Sequence, residues 1–211
     1  MNLSRVSLRA QIKEILLARI LNGEYPAGYR LIELQIAQEF GTSQAPVRES
    51  LRELEALGFV ESAPYRGSRV RNISKAELAE IYPVRAALEE VAARAAARHF
   101  KGNVGELEVE LAAMLQEADN GDLYELVRHD FEFHRLIVEA SANKVLQDVW
   151  KSLRLQTRTF ISTIATRVEL HEIAERHRPL IEALAAGDSE LAGTLIRKHV
   201  EYFAELIMQG K

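Results

Sequence analysis

The sequence predicts a mainly α protein: an N-terminal winged helix-turn-helix followed by an all-α antiparallel helical bundle of about six helices. Three observations predict it. Apolar residues recur at three- and four-residue spacing along most of the 211 residues. β-forming residues gather in one short stretch around a Pro/Gly turn just after Gly58, and from Ser74 onward strand signals disappear.

Composition bounds what such a chain can be. An apolar content of 47% with 27% charged residues is that of a soluble globular protein with a sizeable core. No run approaches the roughly 18 to 20 apolar residues that cross a bilayer, and the N-terminus lacks the apolar segment of an export signal. A cytoplasmic location is expected, with no membrane partner. The absence of cysteine excludes disulfides, thiolate metal sites and a cysteine nucleophile. The net charge of -4 hides an asymmetry: residues 1–72 hold ten Lys/Arg against eight Asp/Glu, whereas residues 73–211 hold seventeen against twenty-three. Two domains with different partners are expected, 1–72 and 73–211.

In the first domain, Leu8, Ile12, Ile15, Leu16 and Ile20 give residues 8–22 one apolar stripe, and "GEYPAG" stops the helix. A second helix spans about 33–40 and breaks at Gly41. The third begins near Ser43, whose hydroxyl is expected to cap the first turn; Pro46 is tolerated there because first-turn N–H groups lack intrahelical partners. Val47, Leu51, Leu54 and Leu57 carry it to a stop at Gly58. The segment "FVESAPYRGSRVRNI" then reads as a small hairpin.

Two short helices, a tight turn and a basic hairpin suit DNA, because a helix fits the major groove while the hairpin follows the neighbouring backbone or minor groove. Ser43, Gln44 and Ala45 lie at the N-terminus of the third helix, where free N–H groups and the helix dipole favour phosphate; Arg48 and Arg52 follow on one face. Arg48 is suited to guanine and Gln44 to adenine. In the hairpin, Arg66, Gly67 and Arg69 let a cationic loop approach a groove closely. The alternative is a packing helix whose arginines only solvate its outer face. The strings "SQAPVRESLRELEALGFVE" and "YRGSRV" resemble the winged helix-turn-helix of the GntR family of bacterial transcription regulators over residues 8–71. The resemblance implies operator contacts from Ser43, Gln44, Ala45 and Arg48, with Gly67 at the wing. Many relatives have Arg at the place of Gln44 and Thr at that of Ala45, so the operator sequence is expected to differ.

In the second domain, "SKAE" has capping-box spacing from Ser74 to Glu77 and opens a long helix to about residue 100. Breaks at 101–103, 118–122, 141–143, 165–167 and 186–188 divide the rest. In the helix containing "DFEFHRLIVEASAN", the buried stripe of Leu123, Leu126, Val127, Ile137 and Val138 is completed by Asp130 and His134. His177 falls between Leu170, Ile173 and Ala174 on one side and Leu180, Ile181 and Leu184 on the other. His199 continues Ala192 and Leu195 and precedes Phe203 and Leu206. His129, His171 and His99 fall on surface or boundary positions.

A buried carboxylate needs a compensating charge, and neutral imidazoles do not supply one. One divalent cation held by Asp130, His134, His177 and His199 meets that need; Zn or Ni suit these ligands first, Mn or Fe also. The alternative is that each histidine is an isolated, hydrogen-bonded core residue. Arg85 continues the stripe of Leu78, Ile81, Leu88 and Ala92, so a permanent cation also faces inward. Its partner is either a structural one such as Glu89 or a small carboxylate ligand.

This half resembles the helical effector domain called FCD, of the FadR-like branch of the same family, through "YPVRAALEEVAA", "HDFEFHRLIVEASAN", "HRPLIEALAAGD" and "IRKHVEYF". The resemblance implies a metal on those four ligand positions, with Arg85 facing an effector pocket and Asn143 a further position beside it. The expected function is a ligand-responsive transcription regulator, not an enzyme: a homodimer on a double-stranded DNA operator, controlled by a small carboxylate effector. The competing expectations are a metal-dependent helical enzyme and a DNA-binding protein whose metal is purely structural.

Overall fold

A computed structural model describes residues 7–21, 23–63, 67–153, 155, 158, 159, 163 and 168–209, with side chains as far as 206. The chain divides into two compact units, Met1–Ile73 and Ser74–Lys211.

In the first unit, α1 (Leu8–Leu21) packs on α3 (Gln44–Leu57) and buries Ile12, Leu16 and Leu17. Two members of the expected stripe, Leu8 and Ile15, are exposed instead; Leu17 takes their share of the core. α2 (Glu33–Glu39) also packs on α3, whose Val47, Leu51 and Leu54 lie inside. Ser50 joins that face because its hydroxyl lies 2.8 Å from the carbonyls of both Arg9 and Pro46, which satisfies a buried polar group. Gly58 ends α3 with φ of 90°, a left-handed conformation in which a side chain clashes with the backbone. Its turn sends the chain into β2 (Val60–Ala63), paired antiparallel with β3 (Gly67–Val70) from Val60↔Val70 to Ala63↔Gly67. A further strand, β1 (Arg30–Leu31), pairs with the other edge of β3, so the expected hairpin is a three-stranded sheet of order β1-β3-β2. Two residues are too few to show alternation, which is why the pattern missed β1.

In the second unit, α4 (Lys75–Phe100) starts as expected: the Ser74 hydroxyl accepts the Glu77 N–H at 3.1 Å. Its buried face includes the small residues Ala86, Ala92, Ala93, Ala96 and Ala97, and α10 (Ser189–Gln209) packs on this helix. Gly193 of α10 serves this close approach: a Cβ there would come 2.5 Å from Arg94 Cγ. α5 (Gly105–Asn120) and α6 (Leu123–Ala140) pack together across a short turn, with Asp122 Oδ1 accepting the Glu125 N–H at 3.0 Å. α7 (Lys144–Ser152), α8 (Leu170–Glu175) and α9 (Arg178–Ala186) follow along the chain. The helix expected to run through His177 is therefore two. Pro179 sits in the first turn of α9, where its missing N–H removes no intrahelical bond; farther inside one continuous helix it would. The break expected at 165–167 lies outside the described residues.

Candidate metal centre and nucleic-acid interface

Asp130 and His134 stand one turn apart on α6, His177 sits at the joint between α8 and α9, and His199 comes from α10. All four side chains are buried, and each offers one ligand atom to a group in which these atoms lie within 4.8 Å of one another. Asp130 Oδ1 lies 3.2 Å from His177 Nε2 and 3.9 Å from His134 Nε2. The His177 and His199 ring centres are 4.4 Å apart, and those of His134 and His199 5.2 Å. The inward stripes of α6 and α10 thus converge, and the α8–α9 joint supplies the remaining ring.

The protons on two of these rings follow from their outer neighbours. His177 Nδ1 is 3.0 Å from the Ile173 carbonyl and 3.2 Å from that of Ala174. A carbonyl can only accept, so Nδ1 carries the proton and the Nε2 lone pair faces Asp130. His134 Nδ1 approaches Glu89 Oε2 to 2.7 Å, though at an angle too bent for a well-formed hydrogen bond. The carboxylate again demands the proton on Nδ1, which turns the His134 Nε2 lone pair inward. Asp130 Oδ2, His134 Nε2, His177 Nε2 and His199 Nδ1 are all buried with no hydrogen-bond partner among the described residues. Lone pairs facing one another in a buried site repel unless a cation lies among them. Three imidazole nitrogens and one carboxylate oxygen fit a divalent transition-metal ion.

The electrostatics agree with this use. Burial pushes the Asp130 carboxyl up, but contact with His177 and the neighbouring His134 and Arg85 outweigh it and hold the group at about 2, so Asp130 offers an ionised oxygen. Burial pushes His199 well below its ordinary 6.5, reinforced by His177 and His134, so the ring is neutral with a lone pair to give. Glu89 is opposed by burial yet kept below its ordinary range by Arg85, His134 and Trp150.

Arg85 meets the partner that its spacing suggested. Its Nε donates to Glu89 Oε1 at 2.8 Å and Nη1 to Thr159 Oγ1 at 3.0 Å, while Nη2 stands 3.9 Å from Asp130 Oδ2. Trp150 Nε1 donates to the same Glu89 oxygen at 2.8 Å. The sequence offered Glu89 only as a partner for Arg85; its reach to His134 and Trp150 depends on packing between distant segments. Asn143 is exposed, and its Oδ1 accepts the Leu146 N–H at 3.1 Å, the position of a cap on α7. Beyond the cluster, a groove of about 230 Å³ is lined by Arg176, Pro179, Leu180, Leu195, Lys198 and His199.

On the first unit, Ser43, Gln44, Ala45, Arg48 and Arg52 are all exposed on α3 or at its start. Ser43 occupies the N-cap position, but its hydroxyl makes none of the expected capping hydrogen bonds. Arg48 forks onto Glu33, with Nη2 2.8 Å from Oε2; Arg52 pairs with Glu49 at 2.7 Å. In the sheet, Arg69 pairs with Glu61 at 2.6 Å, and Gly67 opens β3 with φ of 73°. Arg66 lies outside the described residues. Exposed ion pairs of this kind are weak and exchange readily for phosphate.

Helices with an exposed polar N-terminal face on a small sheet, joined in one chain to a helical unit holding a buried acid and three histidines, define a DNA-binding transcriptional regulator. The chain belongs to the gntR family of bacterial regulatory proteins, whose family model matches residues 8–70, and carries an FCD domain over residues 80–202. It is 37% identical over 198 residues to a probable D-xylose utilization operon transcriptional repressor of Paenarthrobacter nicotinovorans, covering 94% of this chain and 88% of that one. The gluconate operon transcriptional repressor of Bacillus subtilis is 30% identical over 197 residues, covering 90% and 80%. The solved structure of Escherichia coli McbR superposes with a TM-score of 0.71 at 25% identity, over 97% of this chain and 98% of that one. The enzymatic alternative gives way to these relatives, which are regulators. Among the described residues no helix is long and apolar enough to cross a membrane.

Proposed function

We propose that the chain binds a pseudo-palindromic operator as a homodimer and that a small organic acid, taken up at a metal held by Asp130, His134, His177 and His199, changes its affinity for that operator. The observation that supports this most is the convergence of unpartnered ligand atoms on one buried point. A bound divalent ion supplies there the positive charge that Asp130 calls for and open positions for a carboxylate, with Zn or Ni first and Mn or Fe next. Glu89 and the carbonyls of Ile173 and Ala174 hold two of the rings with Nε2 inward. Arg85 keeps one guanidinium edge toward Asp130 and is the side chain suited to pair with the acid.

Ser43, Gln44, Ala45, Arg48 and Arg52 would meet the major groove, with Arg66, Gly67 and Arg69 at the wing. A two-fold dimer matches a two-fold operator. Control requires that the acid bind one arrangement of the dimer better than another. One relative is named for the gluconate operon, and gluconate is a hydroxylated acid of the proposed class. The test is titration of a labelled operator, with and without candidate acids, on protein of known metal content. Equal affinity for operator and scrambled DNA sinks the operator claim. Unchanged operator affinity across the acids, with a chelator lowering the melting temperature, assigns the metal a structural role alone.

A further inference from the structure

His199 differs from the other two cluster histidines in what holds its outer nitrogen. His134 turns Nδ1 to Glu89, and His177 turns Nδ1 to two backbone carbonyls. In His199, Nδ1 is sealed and unpartnered on the cluster side. His199 also lines the 230 Å³ groove, and it is 5% exposed. By elimination Nε2 is the nitrogen that meets the groove, since it is neither sealed nor hydrogen-bonded. Once Nδ1 serves as the inner lone pair, Nε2 carries the proton and needs an acceptor.

The groove offers that acceptor two cations. Lys198 is exposed and has no carboxylate partner among the described residues. Arg176 stacks on the Tyr202 ring at 3.3 Å and lines the groove with a partly exposed side chain. Glu172 stands 3.8 Å from Arg176 but already accepts the Tyr202 hydroxyl at 2.6 Å. Pro179, Leu180 and Leu195 give the rest of the wall an apolar character.

We infer that this groove is a second anion site, for a small carboxylate with a short apolar body, which accepts the His199 Nε2–H between Arg176 and Lys198 and so tightens the metal site from outside. The site is separate from the interior position beside Arg85. Its link to metal affinity rests on the metal reading above; its capacity for a carboxylate does not.

The experiment uses the full-length protein, with butanoate as the probe and inorganic phosphate as the comparison. Butanoate binding, measured by calorimetry on the metal-free chain, is expected to weaken about tenfold when Arg176→Gln and Lys198→Gln are combined, the loss of two charge-assisted contacts. Phosphate, lacking an apolar body, is expected to bind more weakly than butanoate. Equal butanoate affinity in wild type and variant overturns the proposal, as does phosphate binding equal to or tighter than that of butanoate. Lys198→Gln alone, at an exposed position, must show part of the loss and covers the case in which Arg176→Gln does not fold. In a second measurement, chelator competition reads Zn affinity with and without butanoate. The wild type is expected to gain several-fold and the double variant nothing, at equal affinity without butanoate. An equal gain in both overturns the coupling; no Zn binding at all defeats the metal reading, while the calorimetric comparison still decides the groove.

Discussion

Glu89 Oε2 and His134 Nδ1 face each other at 2.7 Å, and both side chains are fully buried. The contact joins α4 to α6 and fixes which nitrogen of His134 points toward Asp130. Oε1 of the same carboxylate accepts from Arg85 and Trp150, so one buried charge organises three elements. A carboxylate behind an imidazole ligand sets the tautomer and raises the basicity of the inner nitrogen.

Glu89→Gln keeps the shape and removes the charge. The amide is expected to lower metal affinity by about 10- to 100-fold, as loss of an outer carboxylate does. Arg85 loses its closest counter-charge, so the metal-free protein is expected to lose about 3–5 kcal/mol of stability, as on breaking a buried pair. Chelator competition and urea denaturation check the two halves. Unchanged metal affinity would show that packing alone orients His134.

Trp150 is the chain's single tryptophan and donates to Glu89 at 2.8 Å while stacking on Phe131. A cation at the cluster draws density from His134 and through it from Glu89, which weakens the acceptor of the indole N–H. Adding Zn to metal-free protein is therefore expected to change Trp150 emission, saturating at a single ion per chain. The change should be lost in His177→Ala. A titration that leaves the spectrum flat while metal binds by elemental analysis would disconnect Glu89 from the site.

Most of this centre was legible in the sequence because Asp130, His134 and His199 occupy stripe positions whose neighbours are core residues, and helical periodicity alone turns them inward. His177 was also placed inward, but within a continuous helix; Pro179 was the signal for the joint. The outer partners were harder to see. Glu89 lies one turn from Arg85, which made their pairing readable, whereas the contact with His134 spans 45 residues and has no local signature. The same limit applies to Thr159 beside Arg85. In the first unit, the residue type of Ser43 favours a cap, but in the fold it holds the position without the bond.

Acid is expected to destabilise the metal-free protein in two windows. His199 titrates below its ordinary 6.5 when folded, so below that pH the unfolded chain takes up a proton that the folded chain refuses. Stability should therefore fall as pH drops from 6.5, by at most about 1.4 kcal/mol per pH unit from this residue. Asp130 and Glu89 are both depressed, from 3.8 and 4.5, so what they contribute is complete above those values and is lost in acid, for Asp130 as pH falls toward about 2. Urea denaturation at pH 7.5, 6.5 and 5.5 tests the first window, and His199→Gln should flatten it. An unaltered slope in that variant would assign the proton uptake elsewhere.

Gln44 and Arg52 on α3 should fail in different ways. Gln44 is exposed at the helix start, where its amide can pair with one base edge. Gln44→Ala is expected to cost about 1–3 kcal/mol on the preferred operator and to relax the preference at that base pair, with little loss on unrelated DNA. Arg52 is exposed farther along the helix and pairs with its neighbour Glu49. If it contacts a phosphate, Arg52→Ala should weaken operator and unrelated DNA alike and reduce the slope of log K against log salt by about 0.9. Binding titrations at several salt concentrations, on the operator and on single-base variants of it, separate the two patterns. Uniform weakening from Gln44→Ala would move that residue from base recognition to backbone contact. Loss confined to one base pair from Arg52→Ala would reverse its assignment.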